Sequence, residues 1–325
     1  MSGRFAPSPT GALHLGNLRT ALAAWCAARG GGRGFLVRME DLDRVTASAA
    51  HEAGQLADLA AIGLDWDGPV VRQSERFDRY FEALATLRAA DLVYPCYCTR
   101  REIREEIRGA ASAPHGLPEG AYPGRCRRLT ATERARLEGE GRWPAWRLRT
   151  DGEEISFVDE VAGPTAGRVD DVVLARNDGV PAYNLAVVVD DAAQGVSQVV
   201  RGDDLLSSTP RQIHLQRLLG LPTPTYLHVP LVLGADGQRL AKRHGAVTLA
   251  QLCEGLDPAA RHARLVAITT ALARTLGVIG DGEQLDPTDR AALRTAAARL
   301  RPAALAGPPL SWDDLAGLFG GPPAG

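Results

Sequence analysis

The chain has 325 residues, more than one compact core usually holds, so one large domain with smaller additions is expected. Hydrophobic residues make up 45% and charged residues 23%, which excludes wholesale disorder, and no apolar run approaches the length that crosses a bilayer. A formal net charge of −2 excludes a protein that coats nucleic acid at large, so any RNA partner must meet a local basic patch. The five cysteines form no even disulfide framework, and the residues Met1 to Phe5 show no signal-peptide pattern, so none is expected. A reducing, cytoplasmic setting is expected.

Arg4-Phe5-Ala6 reads as a short strand. Pro7, Pro9 and Gly11 then force an irregular loop. From Asn17, the residues Leu18, Ala21, Leu22 and Trp25 recur at helical spacing until Gly30–Gly32 stop them. Residues 34–39 read as a second strand, and Thr46 or Ser48 can cap a helix ending near Gly63. Strand, helix and strand at these lengths predict a parallel crossover and a doubly wound α/β sheet. Residues 94–150 break the rhythm with three cysteines, many arginines and Pro/Gly turns, as an insertion would. Val172-Val173-Leu174 and 185–189 read as extended, 212–219 as helical and 229–233 as extended again. After Val247 the chain becomes Ala/Leu/Arg-rich helix.

Two motifs carry phosphate chemistry. In the first, Pro7-Ser8-Pro9-Thr10-Gly11-Ala12-Leu13-His14-Leu15-Gly16-Asn17 joins a strand to a helix, where backbone amides and the helix dipole favour anions. His14 and Asn17 lie three apart and can converge on one ligand, and Gly16 lets a planar ring approach the backbone. In the second, Arg239-Leu240-Ala241-Lys242-Arg243 sits in a glycine-bounded loop after an apolar strand, as a basic loop that closes over a triphosphate would. Each motif alone also fits an ordinary turn.

Together, in order, the motifs resemble the class I glutamyl-type aminoacyl-tRNA synthetases. Arg38-Met39-Glu40-Asp41-Leu42-Asp43, the run Asp178 to Ala186, Val189-Asp190-Asp191, Arg201-Gly202-Asp203-Asp204-Leu205 and Thr209-Pro210-Arg211-Gln212 follow in the family's order, from about Arg4 to Leu249. The resemblance implies a Rossmann-type catalytic domain. It implies a glutamate site of Arg4, Phe5, Ala6, Pro7, Ser8, Glu40, Tyr183 and Arg201, and an ATP site of His14, Gly16, Asn17 and Lys242, with Mg²⁺ accompanying ATP. An arginine fork suits a carboxylate, of which glutamate has two, and Glu40 suits its ammonium group. The chain departs from the family pattern at Asn17, where a histidine is usual, and at Arg239 and Ala241, where lysine and serine are usual. Asn17 can donate a hydrogen bond but carries no charge.

Cys96-Tyr97-Cys98 with Cys126 offers three thiolates, and Tyr122 or His115 can supply a fourth donor to tetrahedral Zn²⁺. Arg100, Arg101, Arg125, Arg127 and Arg128 are candidates to offset the thiolate charge and to face an RNA backbone. Cys26 and Cys253 read as packing residues. The pattern Cys-x-Cys…Tyr-x-x-x-Cys resembles the zinc site of the short, queuosine-acting branch of the family, in which tyrosine is a ligand; that implies Cys96, Cys98, Tyr122 and Cys126 around one structural Zn²⁺. Roughly 80 residues follow Lys242, room for a small helical extension rather than a large anticodon-binding region. The resemblance therefore implies activation of L-glutamate with ATP, without tRNA, and its transfer to queuosine-containing tRNA(Asp) by a monomer that needs no membrane; the alternatives are a truncated glutamyl-tRNA synthetase charging a tRNA acceptor end and a non-catalytic nucleotide- or RNA-binding module. The expected division is 1–93 and 151–233 for the two catalytic halves, 94–150 for the zinc insertion, and 234–325 for the closing loop and helical extension.

Overall fold

The computed structural model describes residues 1–109, 122–234, 236–238, 240 and 247–320. Strand β1 (Ser2–Phe5) leads through the Pro/Gly loop into helix α1 (Leu15–Gly30), and β2 (Gly34–Met39) lies parallel to β1, pairing Ser2 with Gly34 and Phe5 with Val37. The expected right-length crossover is thus present. Ser48 caps α2 (Ala49–Ala61) by accepting from the His51 amide, and β3 (Val71–Arg72) extends the sheet beside β2.

After α3 (Phe77–Ala89) the chain leaves the sheet. Strand β4 (Val93–Cys96) starts an antiparallel excursion with α4 (Arg100–Gly109), α5 (Ala131–Gly139) and β5 (Ala145–Leu148). It continues through the hairpin of β6 (Glu154–Asp159) and β7 (Gly163–Arg168), and β8 (Val173–Ala175) pairs back on β5. Helix α6 (Tyr183–Ala193) then precedes β9 (Gln198–Gly202), a 3₁₀ turn (Asp203–Ser208) and α7 (Thr209–Leu218), and β10 (Thr225–Val229) returns parallel to β9. A short β11 (Val232–Leu233) follows. The last part is mainly helical: α8 (Leu249–Leu252), α9 (Pro258–Thr275), α10 (Arg290–Ala297), a short β12 (Leu310–Ser311) and α11 (Trp312–Gly317).

One expectation fails: 185–189 is not a strand but the body of α6. Leu185, Ala186, Val187, Val188, Asp190 and Asp191 are all buried, so the helix lacks the polar face that betrays helical period in a sequence. The sheet order is β3-β2-β1 on one side and β9-β10-β6-β7 on the other, joined where Ser2 bridges Val196. Strand order therefore reverses at the β1/β9 junction, the place where doubly wound sheets leave a crevice beyond the carboxyl ends of their strands. The main core packs α1 between sheet and C-terminal helices. The contact is close enough that a Cβ on Gly30 would lie 2.3 Å from the Ala297 carbonyl oxygen, so only glycine fits there.

Candidate active site

The crevice at that junction is a cavity of about 760 Å³. Arg4, Phe5, Ala6, Pro7, Ser8, His14, Asn17, Glu40, Tyr183 and Arg201 all line it, so the structure gathers most of the residues singled out from sequence around one space. Thr10, Gly11, Ala12, Leu13 and Leu240 line it too. Leu15 instead points into the core, Pro9 faces a separate cavity beside Asp41, and Gly16 packs against Val232. Arg239, Ala241, Lys242 and Arg243 lie outside the described residues.

The loop after β1 is held by local bonds. His14 is the N-cap of α1: its side chain accepts from the Asn17 amide, while the Asn17 side-chain oxygen accepts from the His14 amide at 3.3 Å. This reciprocal capping box uses the very pair expected to converge on a ligand. With its oxygen committed, Asn17 keeps its NH₂ for a ligand oxygen. Gln55, fully buried on α2, donates to the carbonyls of Ser8 at 3.0 Å and Gly11 at 2.8 Å, pinning the loop from beneath. Nothing in the sequence marked Gln55, because its partners are backbone groups 44 and 47 residues away.

The first arginine of the cleft belongs to a buried ion cluster. Arg4 contacts Asp191 at 3.3 Å through Nε and donates to the Val200 carbonyl at 3.1 Å. Arg38, wholly buried, reaches Asp191 at 2.8 Å and Glu40 at 3.4 Å. Asp190 takes Arg76 at 2.6 Å and the Tyr80 hydroxyl at 2.7 Å. Burial works against charge on Arg38 and Asp191, yet their partners outweigh it: the Arg38 pKa is raised and the Asp191 pKa lowered, so both stay ionised. Glu40 goes the other way. Burial pushes its carboxyl above the ordinary range, although Arg38 and Arg4 oppose this. Asp190 and Asp191 were visible as a motif, but Arg38 and Asp191 carried no sign that they compensate each other.

Arg201 is different. All its hydrogen bonds go to neutral acceptors: His228, Gln212, Thr209, Tyr183 and the Leu205 carbonyl. No ion pair joins it to a carboxylate among the described residues, although it is only 6% exposed. A buried guanidinium without a counter-charge favours an anionic ligand.

The thiolate cluster lies apart from this cleft, at the end of β4. Cys96, Cys98 and Cys126 place their sulfurs within 4.8 Å of one another, and Tyr122 puts its hydroxyl 3.3 Å from the Cys98 sulfur. A tetrahedral Zn²⁺ with bonds of about 2.3 Å needs sulfurs roughly 3.8 Å apart, so the donor set fits a metal of that kind. Hydrogen bonds from Cys126 and Cys98 hold the Cys96 thiol well below the usual thiol range. His115 lies outside the described residues. Of the expected arginines, Arg127 does not supply the compensating charge but turns to Asp151 at 2.7 Å and to Asp171 at 3.4 Å. Arg147 does supply it, with its guanidinium 3.9 Å above the Tyr122 ring. Cys26 and Cys253 are buried, as expected, and burial pushes the Cys26 thiol up to about 12. No helix among the described residues is long and apolar enough to cross a membrane.

Comparison with known proteins fixes the family. Residues 1–268 match the tRNA synthetases class I (E and Q), catalytic domain. The chain belongs to that family. It is therefore a ligase of the class I aminoacyl-tRNA synthetase type, as its ordered motifs implied. Among relatives, it is 65% identical over 249 residues to a "Glutamyl-Q tRNA(Asp) synthetase" of Nocardia farcinica, covering 77% of this chain and 78% of that one. It is 50% identical over 326 residues to a protein of the same name from Cutibacterium acnes, covering 96% and 88%. Among solved structures it resembles a glutamate tRNA ligase from Elizabethkingia meningosepticum in complex with its amino acid, with a TM-score of 0.74 at 26% identity over 97% of this chain and 68% of that one. In this synthetase the cleft is the candidate active site, and the thiolate cluster, apart from it, is a candidate metal centre.

Proposed function

We propose that this synthetase activates L-glutamate with ATP, without tRNA, and transfers it to queuosine in the anticodon of tRNA(Asp). The observation that carries the amino-acid side is the buried Arg201 guanidinium, with no carboxylate partner among the described residues, sharing one cleft with Arg4 and Glu40. The acceptor is supported by the shared name of relatives 65% and 50% identical.

In this reading Arg4 and Arg201 receive the carboxylates, Glu40 the ammonium group, and Ser8, Tyr183 and the 5–7 backbone complete the pocket. The two longest bonds of Arg201, to Tyr183 at 3.3 Å and Leu205 at 3.4 Å, are those a carboxylate can displace. His14, Gly16, Asn17 and Lys242 handle ATP, which enters as its Mg²⁺ complex. An oxygen of the glutamate α-carboxylate attacks the α-phosphorus, the bond to pyrophosphate breaks, and glutamyl-adenylate forms. Donors fixed before reaction, such as the loop amides and the Asn17 NH₂, stabilise the charge that develops on the phosphate. A hydroxyl of the queuosine cyclopentenediol then attacks the adenylate carbonyl, giving an ester and AMP.

Cys96, Cys98, Tyr122 and Cys126 would hold one Zn²⁺, which cross-links the excursion after β4 without joining the chemistry. The division into catalytic halves (1–93, 151–233), insertion (94–150) and closing loop with extension (234–325) goes with this proposal, as do a monomeric state and a cytoplasmic site.

The test incubates the enzyme with labelled glutamate, ATP and, in parallel, queuosine-containing tRNA(Asp), unmodified tRNA(Asp) and tRNA(Glu). Label on the queuosine tRNA alone is expected. Label on tRNA(Glu) alone means acceptor-end charging, the activity named for the structural neighbour, and overturns the acceptor. No glutamate-dependent ATP–pyrophosphate exchange overturns the activation step.

A further inference from the structure

Arg201 on β9 and His228 on β10 are paired residues of neighbouring parallel strands. The Arg201 Nε–H donates to His228 Nε2 at 3.1 Å. On the far side of the ring, His228 Nδ1 lies 2.6 Å from Asp159 Oδ2, and both side chains are fully buried. Asp159, the last residue of β6, is itself fixed: its other oxygen accepts the amides of Val161 and Ala162, both at 2.9 Å.

The donor and acceptor roles follow from this geometry. A guanidinium nitrogen only donates, so Nε2 must present its lone pair. An ionised carboxylate only accepts, so Nδ1 must carry the hydrogen. The imidazole is therefore neutral, in a single tautomer chosen by Asp159. Burial and the nearby Arg201 charge both lower the His228 pKa, in keeping with that state. The remaining donors of Arg201 are fixed from the other side by Gln212 at 2.8 Å and Thr209 at 2.9 Å.

We propose that Asp159 and His228 are positioning residues for substrate: Asp159 fixes the His228 tautomer, and the His228 lone pair holds the Arg201 guanidinium in the plane that meets a substrate carboxylate. This rests on the reading that Arg201 binds glutamate. A neutral acceptor behind the arginine holds it without cancelling its charge, which a carboxylate in the same place would do. Asp159 lies one ring further away, bonded to His228 and not to Arg201.

Glutamate-dependent ATP–pyrophosphate exchange on His228→Leu, His228→Gln and Asp159→Asn tests the relay. Leucine removes the acceptor. Asparagine at 159 can donate to Nδ1 and so drives the hydrogen to Nε2, against Arg201. Glutamine keeps an oxygen near the Nε2 position. His228→Leu and Asp159→Asn are expected to raise the glutamate KM about tenfold to a hundredfold with the ATP KM unchanged, while His228→Gln stays near wild type. A role confined to fold stability lowers Tm and leaves the glutamate KM of the folded fraction unchanged; that result overturns the proposal, as does an equal loss in all three variants. Histidine ¹⁵N spectra of the wild-type enzyme give an independent reading. His228 is expected as the neutral Nδ1–H form with a signal that moves on addition of glutamate. An imidazolium, the Nε2–H form or a signal indifferent to glutamate overturns the relay, and this reading decides if no variant folds. Absence of exchange in the wild type, with the tautomer as expected, sinks the activation reading and leaves the Asp159–His228–Arg201 geometry intact.

Discussion

The cleft and the thiolate cluster solve the problem of buried charge in opposite ways. In the cleft, Arg4, Arg38, Asp190 and Asp191 come from segments up to 187 residues apart and neutralise one another inside the protein. The cluster gathers its donors within residues 96–126 and leaves three thiols and a phenol facing one another, with Arg147 above the Tyr122 ring. The first is preorganised by the fold; the second, as proposed, would be completed by a cation from outside. A site that must bind and release substrate gains from charges fixed in advance, whereas a structural cross-link gains from a metal it never releases.

That contrast breaks if either region behaves like the other. The largest expected effect is on the cleft. Arg38→Met leaves Asp190, Asp191 and Glu40 without their shared cation, and loss of one partner from a buried pair costs about 3–5 kcal/mol. Chemical denaturation should show that loss, and a wild-type midpoint would mean the cluster is solvated rather than self-compensated. Next comes Cys126→Ala, or treatment with a strong chelator. Bound metal, measured by elemental analysis, should fall from about one per chain to none, the melting of the excursion after β4 should drop, and the glutamate KM should hold. A glutamate KM that rises with metal loss would mean the two regions are coupled. A smaller effect is expected at the loop floor: Gln55→Leu removes the side-chain donor from the Gly11 carbonyl and one of two donors from the Ser8 carbonyl, which keeps the Thr10 amide at 2.9 Å, at about 1–3 kcal/mol. Kinetics should show a raised KM for both substrates, since the loop touches both halves of the cleft.

The sequence was most legible where function depends on local order. The run Pro7 to Asn17, the Arg38–Asp43 segment and the Cys-x-Cys spacing could be placed because strand, turn and helix signals sit within a few residues of each other. Partners across the sheet were hidden. Asp159, His228, Gln55 and Arg147 read as ordinary polar residues because their roles depend on strand register and helix packing, which no short window of sequence encodes. The strand assigned to 185–189 failed for a related reason: a helix buried on every side has no polar stripe to reveal its period. Fold class was recoverable from the crossover unit at the start, whereas charge compensation had to await three-dimensional placement.

The smallest effect sharpens the account of the cleft alone, through Glu40. Its carboxyl is raised by burial, so it takes up a proton at higher pH than an ordinary glutamate. If Glu40 receives the substrate ammonium group, the neutral form binds less well. The glutamate KM should therefore climb as pH falls, starting above the ordinary carboxylate range, while the ATP KM stays flat. Stability has the opposite sign. A raised folded-state pKa favours the folded protein at low pH, and that contribution is lost as pH rises through it, so ionised Glu40 is held at neutral pH at some cost to the fold. Glu40→Gln should then show a high glutamate KM that no longer varies with pH, together with a Tm at pH 7 equal to or above wild type. A variant that loses both stability and affinity would show instead that Glu40 serves the buried ion cluster through Arg38 and not the substrate.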